Sequence, residues 1–93
     1  MKNKKINIIR KHLDKLDEKL LVLIKKRTLL VDQVLKTKKY KKEIIDKKRI
    51  GAILKRIKAK SKKKNIDFRI TKKIWSTMIK AYIEYEFRNF KKK

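Results

Sequence analysis

The sequence predicts an all-α protein of three helices that folds as an oligomer. Three observations carry this: apolar residues recur at three- and four-residue spacing almost throughout, there is no Pro, and the 93 residues contain a single Gly, Gly51. A chain this short buries only about 60% of its unfolded surface when it folds alone. With 33 Lys plus Arg against 9 Asp plus Glu, it also carries a self-repelling charge of +24. A partner chain is therefore expected.

The first helix is expected from about Ile6 to Lys39, with a stripe of Ile9, Leu13, Leu16, Leu20, Leu23, Leu30 and Val34. At ~1.5 Å per residue such a rod is roughly 50 Å long, more than a compact domain of this size can cover. Tyr40 to Ile45 reads as a short basic connection. Asp46 is placed to cap a second helix holding Ile50, Ile53, Leu54 and Ile57. Gly51, just inside that helix, is compatible with close packing. Asn65 is suited to end it in the left-handed conformation, and Asp67 to cap the third. The third helix, about Phe68 to Phe90, repeats Trp75, Ile79, Tyr82, Glu86 and Phe90 along one face. Trp75, Met78 and Ile79 at that spacing read as core, and His12 as a solvated flank. Residues 1–93 form one domain with basic tails at about 1–5 and 91–93.

Composition excludes several chemistries. Without Cys, and with His12 as the lone histidine, there is no thiolate nucleophile, disulfide framework or zinc cluster, so neither metal nor cofactor is expected. The longest uninterrupted apolar run, Leu20 to Ile24, is far short of the ~20 residues a bilayer span needs. The start lacks a signal-peptide core, so the expected location is the cytoplasm. The pI near 10.5 raises a nucleic-acid partner, because Lys and Arg neutralise phosphates. Yet the excess is nearly all Lys, accompanied by Ile and Asn, as AT-rich coding drift leaves on a solvated surface. Non-specific polyanion binding needs no more than that. The arginines, Arg10, Arg27, Arg49, Arg56, Arg69 and Arg88, say more, since a guanidinium offers carboxylates a planar fork that Lys cannot.

Register gives the sharpest signal. At 100° per residue, Arg27 and Lys38 fall in line with Leu20, Leu23 and Val34, and Glu86 falls on the apolar face of the third helix. Buried charges are costly unless paired or hydrogen-bonded, so the options are a structural ion-pair network, a polar oligomer seam or an enclosed anion site. Arg27 and Lys38 are eleven residues apart, about 16 Å along a helix, close enough for two long side chains to grip a small molecule. Arg10, about 25 Å from Arg27, cannot join them from the same chain. An antiparallel partner crossing near Glu18 brings its Arg10 opposite Arg27 and creates two equivalent sites.

The run Ile9-Arg10-Lys11-His12-Leu13-Asp14-Lys15-Leu16-Asp17-Glu18-Lys19-Leu20-Leu21, with Arg27, Val34, Lys38, Ile45-Asp46, Arg49 and the Ile74 to Phe90 helix, resembles the all-helical chorismate mutases. The resemblance implies an intertwined three-helix homodimer that rearranges chorismate to prephenate in aromatic amino-acid biosynthesis. It also implies roles. Arg27 and the partner's Arg10 would hold the carboxylates of a small dicarboxylate substrate, with Arg49 adding a contact. Lys38 would donate to a carboxylate and to the ether oxygen, Asp46 would lie near the ring hydroxyl, and Glu86 would be the second ether-oxygen donor. Tyr82 takes a place where the family often has a small hydroxyl residue.

This chemistry suits the composition. A Claisen rearrangement is unimolecular and needs no nucleophile, base, metal or redox group. It needs a compact conformer held in place and donors where the ether oxygen becomes negative. Two departures from the family pattern matter. Glu86 replaces a common Gln, and an ionised carboxylate only accepts, so it must be protonated to help. Burial favours that proton while Lys38 and the arginines oppose it. Ile50 replaces a Glu that commonly contacts the substrate hydroxyl. With Tyr82, Ile83 and Phe90, this is similar to the isochorismate-pyruvate lyases of the same fold, which release salicylate and pyruvate. Mutase is the favoured activity and lyase the alternative. A third, non-enzymatic alternative is a basic helical dimer that binds nucleic acid, which would place arginines and aromatics on an exposed face.

Overall fold

The computed structural model describes residues 2–91. Met1, Lys92 and Lys93, which belong to the expected basic tails, lie outside the described residues. Three α-helices follow one another: α1 (Lys2–Thr37), α2 (Lys47–Lys63) and α3 (Phe68–Asn89), with a short 3₁₀ turn at Lys41–Glu43 between the first two. No strand occurs among the described residues, and no described helix is long and apolar enough to cross a membrane. The chain divides into two compact units, Met1–Gln33 and Val34–Lys93.

In the first unit α1 runs on from Lys2, four residues earlier than its periodicity announced. Its apolar stripe is wet: Leu13, Leu16, Leu20, Leu23 and Leu30 are each between 53% and 59% exposed. His12 is exposed, as expected. Contiguous exposed apolar surface of this kind marks an interaction face.

In the second unit the core is small and consists of Leu35, Ile44, Ile53 and Ile57. Val34, on the apolar stripe, is 52% exposed like the leucines before it, while its neighbour Leu35 is buried. Helix α1 also stops sooner than expected. The Lys38 amide closes its last turn onto the Leu35 carbonyl at 3.1 Å, a tightened i to i−3 bond common at helix ends.

Helix α2 packs against α3. The Asp46 carboxylate caps α2 by accepting from the Arg49 amide at 2.9 Å, and Asp67 caps α3 by accepting from the Arg69 amide at 2.9 Å. Between the helices Asn65 is left-handed, at φ 57°. The Ile66 amide donates to the Ser61 carbonyl at 2.8 Å and the Asn65 amide to Lys62 at 3.2 Å, the paired bonds of a Schellman ending. A buried hydrogen bond of 2.7 Å joins the hydroxyls of Ser61 and Thr71, tying α2 to α3 at that end. Trp75, Met78 and Ile79 are half-buried.

Gly51 corrects an expectation. A Cβ there would meet nothing within 4 Å, so no close approach requires glycine. Its φ is not positive either. Gly51→Ala should stabilise α2 by about 0.5–1 kcal/mol by restricting the unfolded chain, seen as a raised denaturant midpoint at constant m. A lowered midpoint would show that glycine is needed.

Candidate active site

Lys38 follows directly after the last residue of α1, and Glu86 lies in the final turn of α3. Their side chains meet: the Lys38 Nζ donates to Glu86 Oε1 at 2.9 Å. The pair is largely removed from water, with side-chain exposures of 16% for Lys38 and 9% for Glu86. The two ends of the second unit thus come together at the polar residues whose register set them apart from their apolar neighbours. Lys38 is satisfied by Glu86, so an anionic ligand must compete with that carboxylate for the ammonium.

Lys38 also lines an open concavity of about 550 Å³ with Glu43, Ile45, Asp46 and Lys47. That volume falls within the range of about 300–1,000 Å³ typical of small-molecule sites. Asp46 caps α2 and also lines this space. Arg49 offers its amide to Asp46 and has an exposed side chain. Tyr82, one turn before Glu86, is half-buried and packs edge-to-face on Tyr85, with ring centroids 6.3 Å apart. Ile50 is half-buried at the start of α2. In the first unit, Arg27 is half-buried and Arg10 exposed.

Three concavity residues were not anticipated: Glu43, Ile45 and Lys47. Glu43 left a signal. It and Asp46 are the only carboxylates within the basic stretch Lys36 to Lys48. Its Oε2 accepts from the amides of Lys39 at 2.6 Å and Tyr40 at 2.8 Å, the two amides that follow Lys38. Those bonds, and then nearby Lys38 and Lys42, hold the Glu43 carboxyl below its ordinary value of 4.5. A depressed carboxylate stabilises the turn above pH 4.5, and that contribution is lost as pH falls through the lower folded value. The Lys39 and Tyr40 amide resonances should therefore titrate together with a midpoint below 4.5. A midpoint at or above it would contradict the bonds.

A family model described as chorismate mutase type II matches residues 9–87. The chain belongs to this chorismate mutase family. No curated protein and no solved structure matches it. The chorismate mutase match takes in Arg10, Arg27, Lys38, Asp46, Arg49, Tyr82 and Glu86, and stops short of Phe90.

Proposed function

We propose that the protein is a cytoplasmic chorismate mutase that rearranges chorismate to prephenate, for aromatic amino-acid biosynthesis, in sites shared by the two subunits of a homodimer. The observation that carries this is the Lys38–Glu86 pair, a largely buried cation and carboxyl whose Lys38 also lines a ligand-sized concavity, in a chain of the chorismate mutase family. The wet leucine stripe of α1 supports the dimer, since a second copy of the same helix would cover it.

The chain's task is to hold and to donate. Arg27, Arg49 and the partner's Arg10 fold the diacid into its compact conformer with their guanidinium forks. Lys38 turns from Glu86 to the substrate, bonding a carboxylate and the ether oxygen as negative charge builds there. Asp46 faces the ring hydroxyl, and Tyr82 walls the cavity beside Glu86. Glu86, when protonated, becomes the second donor to the ether oxygen. No covalent intermediate is required, and the net positive charge speeds capture of the dianion.

Ile50 favours a second reading, isochorismate-pyruvate lyase activity, because an apolar side chain at that position offers the substrate hydroxyl no partner. Incubating the protein separately with chorismate and isochorismate separates the two. Prephenate from chorismate supports the mutase, while salicylate plus pyruvate from isochorismate supports the lyase. Turnover of neither, with nucleic-acid binding that weakens steeply with salt, would overturn both in favour of a polyanion-binding dimer.

A further inference from the structure

Lys38 is held from two sides. Upstream, its own amide closes the last turn of α1 onto Leu35, which is buried. Downstream, the next two amides, Lys39 and Tyr40, lie beyond that turn, and both donate to one oxygen of Glu43 at 2.6 and 2.8 Å. The Glu43 amide donates back to the Tyr40 carbonyl at 3.0 Å, and the Ile44 amide to Lys41 at 3.0 Å. Ile44, only 3% exposed, then anchors the turn in the core. The backbone on either side of the Lys38 Cα is thereby fixed between two buried apolar anchors, six residues before it and after it at most. On the downstream side the only side-chain clasp among the described residues is the Glu43 carboxylate.

An exposed carboxylate bonded to two amides contributes little to global stability, but this one stands where it governs direction. Without it the chain after Lys38 can rotate, and a long, flexible ammonium stem amplifies any such rotation at its tip. Glu43 also lines the same concavity as Lys38.

We propose that Glu43 is a positioning residue, whose carboxylate clasps the two amides after Lys38 and so fixes the backbone from which the Lys38 ammonium reaches. This rests on the assignment of Lys38 as the donor to a dicarboxylate substrate. Although Glu43 lines the concavity, its carboxylate is engaged by those amides, and its role is exerted through Lys38.

A double-mutant cycle tests this. Glu43→Ala and Glu43→Gln are made in the wild-type chain and in Lys38→Met. Chorismate turnover is measured, together with calorimetric binding of a bicyclic diacid that mimics the folded transition state. Glu43→Ala should weaken mimic binding and lower kcat/KM by about tenfold in the wild-type chain, because small misplacements of a donor are expensive. Glu43→Gln, which keeps an acceptor oxygen, should recover most of that loss. In Lys38→Met the Glu43→Ala change should cost less than about twofold, since no ammonium remains to aim. Equal costs in both backgrounds, or a Glu43→Ala variant as active as wild type, would overturn the role. Failure of the underlying assignment looks different: the wild-type chain would then neither turn over chorismate or isochorismate nor bind the mimic. Thermal unfolding of each variant identifies a fold defect, and a loss in Glu43→Ala that tracks melting and is not recovered by Glu43→Gln also counts against it.

Discussion

Lys38→Met should lower kcat for chorismate by about 10²–10³-fold, the usual cost of removing one preorganised donor from a developing oxyanion. The substitution removes the proposed donor to the ether oxygen and keeps the aliphatic bulk, so the loss reports charge and hydrogen bonding more than packing. It has a second consequence. Glu86, at 9% side-chain exposure, loses the cation that neutralises it. Breaking a buried pair from one side typically costs about 3 kcal/mol. The two effects separate cleanly. Turnover is assayed well below the melting temperature, and stability is read from denaturant midpoints. Unchanged turnover in a folded Lys38→Met protein would remove Lys38 from the site.

Glu86→Gln should have the second large effect. The carboxyl accepts from Lys38 at 2.9 Å, and a carboxylate that only accepts cannot donate to the ether oxygen. The Gln amide keeps an oxygen that accepts from Lys38 and adds N–H donors. Glu86→Gln should therefore turn over chorismate about tenfold faster than the wild-type chain, with its fold checked by the denaturant midpoint. Turnover unchanged or lowered in the folded variant would show that Glu86 is no donor to the substrate.

The parts of this molecule legible in its sequence are those set by local chemistry. Asp46, Asn65 and Asp67 end and begin helices through bonds to residues at most a few positions away, so residue type and neighbours suffice to place them. Lys38 and Glu86 stood out because a charge on an apolar stripe is costly, and the structure pairs them across 48 residues. That cost said they needed partners and did not say they were each other's. The end of α1 was not legible. Periodicity runs on through Thr37 and Lys38, whereas the helix stops where a 3₁₀ turn and the Glu43 clasp offer the amides other acceptors. Glu43 left only the signal of a carboxylate in a basic stretch, which does not say what it binds. Among so many lysines a single carboxylate reads as charge balance, and its bonds go to backbone amides, which no side-chain pattern reveals. The exposed stripe of α1 is the reverse case: a partner was expected to cover it, and along the described chain it stands open to water.

The proposed shared sites make a demand that no property of a lone chain can meet: if they form, Lys38 works with the partner's Arg10. Arg10→Ala and Lys38→Met, each nearly inactive, are unfolded together and refolded as an equal mixture. Random pairing makes half of the dimers mixed, and in each mixed dimer one site collects both defects while the other collects none. Chorismate turnover should therefore rise from near zero to about a quarter of the wild-type value. If the mixture stays as inactive as its two components, although both refold and associate, the shared dicarboxylate site does not exist.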